Sequence, residues 1–241
     1  MRFLVTGASS YIGRATVLAL LEKGHEVIAS ASSEDSLQKV KEECKNCEYL
    51  VFDFKNTTSI DSLFHKPIDG LILNACSKVG RLKRFADLNL EDSFSFIESN
   101  MRGNLFLIHR VIKEQMKHGI GRNVFVSSVS VAMGTSRYGA YCFLKSGMEG
   151  LFRNLAVDYG HKNIFFNSIR PGIIATSRHE DVRNRKGYNE LMTQKIPSST
   201  LGSPEQVAKS ILLLVEQDSY INGTHLEVSG GLPMFRTDLA S

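Results

Sequence analysis

The chain has 241 residues, 42% of them hydrophobic and 22% charged, and a formal net charge of +4, which is ordinary globular composition with length enough for a large buried core. So mild a positive charge, with no aromatic residues interleaved among the basic ones, gives no nucleic-acid footprint, and apolar runs such as residues 211–215 fall far short of the roughly 20 residues a membrane helix needs. The first strand-like run begins almost at Met1, with no charged, apolar and cleavage regions before it, and the four cysteines (Cys44, Cys47, Cys76, Cys142) read as reduced thiols, so the expectation is a soluble cytoplasmic protein with no membrane or nucleic-acid partner.

In chain order, short β-rich runs fall at residues 3–5, 26–29, 49–52, 70–73, 123–126, 164–169 and 224–228. Helical patterns lie between them. The first, residues 12–22, places Ile12, Ala15, Thr16, Ala19 and Leu20 on one face and stops at Gly24. Strands alternating with helices of this length predict a single α/β domain over residues 1–241. Its seven parallel strands would be covered on both faces, the doubly wound, Rossmann-like arrangement. Residues 177–203 are the least regular long stretch, polar and basic, bracketed by Pro171-Gly172 and Gly202-Ser203-Pro204. In a compact domain such a segment reads as a substrate lid. Cys44 and Cys47 match C-x-x-C, but no second Cys or His pair stands at zinc spacing, so they read as incidental thiols and no metal is expected. Lys78, Arg81, Lys83 and Arg84 form one basic cluster, and Arg110, Lys113, Lys117, His118 and Arg122 another. Solvated surface is the plain reading of both; an acidic partner is the alternative.

The turn after the first strand, Thr6-Gly7-Ala8-Ser9-Ser10-Tyr11-Ile12-Gly13, sets backbone N–H groups and a helix N-terminus where a pyrophosphate could lie. Gly7, Ser9, Ser10, Tyr11, Ile12 and Gly13 are its candidate contacts. Asp53, beside Phe54 at the end of the third strand, could accept from an adenine amino group or cap a helix near Asn56 and Thr57. Asn74 and Ala75 follow the fourth strand. At the end of the second strand an NAD site needs a carboxylate for the ribose 2′-OH, and an NADP site must avoid one. Ala31 stands at that place, and Ser32 and Ser33 can donate to a phosphate, with Arg14 a nearby cation. NADP(H) is therefore favoured over NAD(H).

Tyr141 and Lys145 are four residues apart, so in a helix they project from one face, one turn from each other. A free tyrosine titrates at about 10, and an ammonium held close would stabilise its phenolate and make it a usable acid and base near neutrality. Ser128 lies thirteen positions before Tyr141, at the end of the fifth strand-like run.

Asn100-Met101-Arg102-Gly103, Ser127-Ser128, Tyr141 to Lys145, Asn167-Ser168-Ile169-Arg170-Pro171-Gly172 and Thr176 occur in the order and spacing of one family: the chain resembles a short-chain dehydrogenase/reductase of the compact single-domain branch, from Arg2 to Gly231. The resemblance implies that Tyr141 is the proton donor or acceptor and that Ser128 hydrogen-bonds the substrate carbonyl. It also implies that Asn100 holds a water in the proton relay and that Lys145 binds the nicotinamide ribose. Pro171, Gly172, Ile174 and Thr176 would contact the cofactor, Thr176 at the carboxamide of the nicotinamide. Two departures stand out: Tyr11 replaces the family's middle glycine, and Leu73-Asn74-Ala75-Cys76 replaces Asn-Asn-Ala-Gly. A side chain at position 11 must point away if a backbone is to approach a pyrophosphate closely. Cys142, Phe143 and Leu144 are bulkier than the family's usual residues there and are expected to pack against the sheet or a partner helix. The closest general likeness is to 3-oxoacyl-acyl-carrier-protein reductases, which implies NADP(H)-dependent reduction of a small-molecule or carrier-tethered ketone to a secondary alcohol. A ketoreductase or dehydrogenase of a sugar or specialised-metabolite pathway is the alternative within that class, and a non-catalytic dinucleotide-binding sensor or scaffold the alternative outside it. The family also forms four-helix interfaces through the helices that follow Asn100 and carry Tyr141, so a homodimer or homotetramer is expected.

Overall fold

A computed structural model describes residues 1–54, 64–77, 79–80, 82–175 and 193–234. Thr176, Lys78, Arg81 and the expected lid as far as residue 192 lie outside the described residues.

The chain opens with strand β1 (Arg2–Val5), helix α1 (Tyr11–Glu22), β2 (Glu26–Ala31), α2 (Glu34–Glu43) and β3 (Glu48–Val51). After β4 (Gly70–Leu73) come the 29-residue α3 (Leu90–His118), β5 (Gly121–Val126), a single turn α4 (Ser130–Met133) and α5 (Gly139–Tyr159). Strand β6 (Ile164–Pro171), α6 (Pro204–Val215) and β7 (His225–Val228) complete the order. The seven strands form one sheet in the order β3-β2-β1-β4-β5-β6-β7, with every neighbouring pair parallel. All seven expected strands are present. The fifth begins two residues earlier than the pattern indicates and the sixth runs on through Pro171.

The side-chain alternation of a strand explains how one sheet serves two cores. Leu4, Leu71, Leu73 and Phe125 point to one face, where Leu107 and Val111 of α3 and Met148 and Phe152 of α5 cover them. Phe3, Val5, Ile72 and Val124 point to the other, under Val17 and Leu20 of α1 and Val207 and Ile211 of α6. Helix starts follow the side chains that cap them: Ser10 accepts from Gly13 N, Ser33 from Ser36 N and Asn89 from Glu91 N, and Ser203 with Gln206 makes a reciprocal capping box. Gly119, at φ 70°, closes α3 in the left-handed conformation glycine adopts most readily. The chain runs outward in one direction from β1 through β2 to β3, and in the other from β4 to β7. The sheet therefore has its topological switch between β1 and β4, where ligands of open α/β sheets bind.

Two sequence readings change. Arg122 is not part of a solvated cluster: it is 1% exposed, and its guanidinium donates to the carbonyls of Gly121, Asn163, Glu216 and Gln217 and to Asn163 Oδ1, over the Phe165 ring. The helix expected to follow Asn100 begins ten residues before it, at Leu90, so that Asn100 lies inside α3. Cys44 and Cys47 are free thiols at the end of α2, and burial pushes Cys44 up to about 11. Among the described residues no helix is long and apolar enough to cross a membrane.

Candidate functional site

A cavity of about 1020 Å³ opens along the C-terminal ends of the strands, across the β1/β4 switch. Its wall combines the glycine turn, the residues after β2, β3 and β4, the end of β5, the start of α5 and the segment after β6.

The glycine turn is shaped by close backbone approach. Gly7 has φ 65°, and a Cβ there would stand 2.8 Å from Ala75 Cα. Gly13 lies against the Gly7 carbonyl, so it sits behind the wall instead of lining it. Asn74 ties the turn together: its Nδ2 donates to the carbonyls of Thr6 and Gly7 and to Ser10 Oγ, at 2.9 to 3.1 Å. Thr6 Oγ1 accepts from the amides of Asn74 and Ala75. Ser10 caps α1 through Gly13 N and, with Ser9, Tyr11 and Ile12, lines the cavity. The amides of Ser9, Tyr11 and Ile12 have no partner among the described residues. Unpaired amides at the start of a 12-residue helix are what a phosphate recognises. Tyr11, the substitute for the middle glycine, is among the residues lining the cavity, and the Arg14 guanidinium lies over its ring at 5.1 Å. Arg14 is in turn paired with Glu43 at the end of α2.

Beyond the turn, Ser30, Ala31, Ser32, Asp53 and Phe54 line the cavity. Ser33 does not: its side chain caps α2, and Ser36 takes its place on the wall. No carboxylate stands at the end of β2, and Glu34 is turned to Lys41 at 2.7 Å.

At the other end, Ser128, Tyr141 and Lys145 line the same cavity, together with Pro171, Gly172 and Ile174. Lys145 is 3% exposed and donates to the Val126 carbonyl at 2.7 Å, with its Nζ 4.7 Å from the Phe125 ring centre and 5.7 Å from that of Tyr141. The Tyr141 ring stands edge-on to Tyr138 at 5.7 Å. Ser128 Oγ accepts from Ser130 N at 3.2 Å and keeps its own proton to donate. Ser127 N bonds to Ile169 O and Val129 N to Pro171 O, so the β5 and β6 ends are fixed to each other. Gly172 bonds to Val228 O, and a Cβ on it would meet Ser229 Cα at 2.7 Å.

Asn100 stands behind the wall. It is fully buried, its Oδ1 accepts from Ser77 N, and its Nδ2 donates to Ser77 Oγ and Phe96 O. Ser77, which the sequence reading missed, lines the cavity in its stead. Tyr138 was missed too, although it lies three residues before Tyr141.

One turn past Lys145, Glu149 is buried and receives two hydrogen bonds from Arg170, at 2.9 and 2.6 Å. Burial pushes Glu149 up, but the hydrogen bonds and charge of Arg170 outweigh it and hold the carboxyl below its usual range. Arg170 also reaches Glu227 at 3.1 Å. His225 packs on Ser168 and Arg153, and burial above all lowers its affinity for a proton.

An extended dinucleotide fits these residues: the bare amides of the glycine turn suit a pyrophosphate, Ser32 and Asp53 border the far end, and the Tyr141–Lys145 pair borders the near one.

A family model described as enoyl-(acyl-carrier-protein) reductase matches residues 7–233. The 3-oxoacyl-[acyl-carrier-protein] reductase of Rickettsia bellii is 31% identical over 237 residues, covering 96% of each chain. Among solved structures, a protein provisionally named a 2-deoxy-D-gluconate 3-dehydrogenase from Agrobacterium tumefaciens, with bound NADP, is similar at TM-score 0.85 and 27% identity, over 95% of each chain. A 4-hydroxyisoleucine dehydrogenase mutant complexed with NADH and succinate is similar at TM-score 0.85 and 26% identity, over 96% of this chain and 98% of that one. On its doubly wound sheet, its glycine turn and these likenesses, the chain belongs to the short-chain dehydrogenase/reductase family and is a nicotinamide-nucleotide-dependent oxidoreductase.

Proposed function

We propose that this chain is an NADPH-dependent ketoreductase whose substrate is a 3-oxoacyl thioester. The observation that carries the reading is Lys145, buried and pinned to Val126 O beside Tyr141, in the same cavity onto which the unpaired amides of the glycine turn open. The thioester comes from likeness: the curated relative at 31% identity is a 3-oxoacyl reductase.

When bound, the nicotinamide supplies the hydride. The chain supplies the rest. Ser128 donates its hydroxyl hydrogen to the substrate carbonyl oxygen and fixes the carbonyl's direction. As negative charge develops on that oxygen, Tyr141 donates the phenolic proton to it and becomes phenolate. The Lys145 ammonium stabilises that phenolate from one helical turn away. Asn100 acts through Ser77, ordering the loop after β4 against α3. Pro171 and Gly172, tied to Val129 and to β7, form part of the wall of the cavity that Tyr141 also lines.

Preference for NADP over NAD rests on Ala31, Ser32 and Ser36, which offer hydroxyls and no carboxylate where a 2′-phosphate would stand. The two solved relatives hold one nucleotide each, NADP and NADH, and the side chains at this end of the cavity support NADP for this chain.

The test is NADPH oxidation with matched ketones: 3-oxobutanoyl thioesters of coenzyme A and of N-acetylcysteamine, against keto-sugars and simple ketones. The reading predicts the thioesters to be the better substrates by kcat/KM. Preference for a keto-sugar would assign the chain to sugar metabolism, and binding of NADPH without turnover of any ketone would favour a sensor or scaffold.

A further inference from the structure

Beside the main cavity lies a smaller one of about 310 Å³, between the segment after β4, the start of α3 and the start of α5. Val79 and Tyr138 line both. Because the Tyr138 ring stands edge-on to Tyr141 at 5.7 Å, the side cavity opens one ring's breadth from the hydroxyl proposed to protonate the substrate. Its inner wall is apolar, from Leu88, Phe96 and Ala140, and its rim carries Lys83 and Arg137, with Asp92 on the α3 side. Two cations thus face one carboxylate. Arg137 is held at φ 70°, a left-handed conformation that a side chain adopts at a cost and that recurs where ligands are clamped. Among the described residues no acid pairs with Arg137 or Lys83.

We propose that this side cavity is a second substrate subsite, which takes the part of the substrate beyond the ketone and binds an anionic oxygen group on it through Arg137 and Lys83. The proposal rests on the 3-oxoacyl thioester reading and narrows it. The anion has two possible sources: a carboxylate ending the acyl chain, or the phosphate of a pantetheine arm. Either would lay a short apolar segment along Leu88 and Phe96 before meeting the guanidinium, and a bidentate Arg–anion pair fixes orientation as well as affinity.

Three probes separate the cases: the neutral N-acetylcysteamine thioester of 3-oxobutanoate, the N-acetylcysteamine thioester of 3-oxoadipate with its free terminal carboxylate, and the 4′-phosphopantetheine thioester of 3-oxobutanoate. The expected result is that one anionic probe exceeds the neutral one by about tenfold in kcat/KM, the discrimination of one charge-assisted contact. Arg137→Gly, which removes the charge and relieves the left-handed strain, should bring that ratio close to one, and Arg137→Lys should restore part of it. A gain with the adipate probe locates the anion on the acyl end; a gain with the phosphate probe locates it on the arm. Should Arg137→Gly lose its native circular dichroism, Lys83→Gln, at an exposed loop position, carries the comparison and should lower the ratio at least twofold. An anion-to-neutral ratio near one in the unmutated enzyme, or a ratio that neither substitution moves, overturns the subsite and leaves the ketoreductase reading standing. Turnover of none of the three probes overturns both.

Discussion

Lys145 meets its burial with one hydrogen bond, to the Val126 carbonyl at 2.7 Å, and two aromatic faces. Lys145→Met keeps the stem and removes the charge, so protein stability should hold while kcat falls about 10²- to 10⁴-fold, the usual worth of a proton-transfer arrangement; steady-state rates and a melting curve measure the two separately. Ala31 carries the cofactor prediction. Ala31→Asp would set a carboxylate beside Ser32, repel a 2′-phosphate and accept from a 2′-hydroxyl, shifting the NADPH-to-NADH ratio of kcat/KM toward NADH by at least tenfold. An unchanged ratio would locate cofactor choice elsewhere. At this scale the sequence was readable where spacing alone fixes a partner, as with Tyr141 and Lys145 on one helix face. It was less so for Gly13, Ser33 and Asn100, which stand behind the wall because each is occupied by its own surroundings: the Gly7 carbonyl, the α2 cap and Ser77. The Asn100–Ser77 pairing spans 23 residues, a separation that no local pattern reveals, whereas the Ser33 cap is local and competes with the cavity for the same side chain.

Helix α5 carries Tyr141 and Lys145, and Glu149 fastens it to β6 through Arg170, just before the Pro171-Gly172 wall. Glu149→Gln weakens the pairing of Arg170, which is half-buried and keeps Glu227, and should cost about 1 to 2 kcal/mol, less than a fully buried broken pair, read from urea unfolding. This cluster also contributes to the acid side of stability, alongside His25, whose proton affinity burial lowers in the same way. Glu149 holds its proton less tightly than an ordinary carboxyl at 4.5, and His225 less tightly than an ordinary imidazole at 6.5. Both therefore contribute stability that is complete above those ordinary values. The contribution of His225 is lost first, as pH falls below 6.5 through its lowered value, and that of Glu149 follows below 4.5. The unfolding midpoint should thus decline from pH 7 to 5, and His225→Gln should flatten that decline; a midpoint that rises on acidification would contradict the assignment. Element identity and order were legible because each strand is a short apolar run and each helix a longer periodic one. Arg122 was not, since a buried arginine is made by carbonyls from three separate places in the chain meeting at the start of β5.

Across the whole molecule, the reversal of strand order between β1 and β4 makes the crevice, and α3 and α5 leave several large apolar side chains exposed. Leu105 and Met116 on α3 and Phe143 and Val157 on α5 are exposed, at 40% to 78%. Phe143, expected to pack on the sheet or a partner helix, turns outward, whereas Leu144 is buried. We infer that a second copy covers these exposed side chains, as the family resemblance implies. Phe143→Glu should shift the protein from oligomer to monomer by light scattering coupled to gel filtration, and a monomeric unmutated protein would refute the inference. The fold could be read from the sequence nearly entire, because a parallel sheet leaves its signature in the alternation of strand and helix. The resemblance named the two helices of the expected interface, but which of their side chains stand outward could not be read, since exposure is decided by how α3 and α5 rotate on the sheet.

In the proposed reaction Tyr141 gives its proton to a ketone while the nucleotide is held independently by the glycine turn. One experiment separates the two: NADPH binding by fluorescence titration, followed in the same sample by NADPH oxidation on adding the 3-oxobutanoyl thioester, for the unmutated protein and for Tyr141→Phe. NADPH affinity should be equal within about twofold, and oxidation slowed at least about 10³-fold by the missing hydroxyl. Oxidation by the Tyr141→Phe protein at a rate near that of the unmutated one would contradict it.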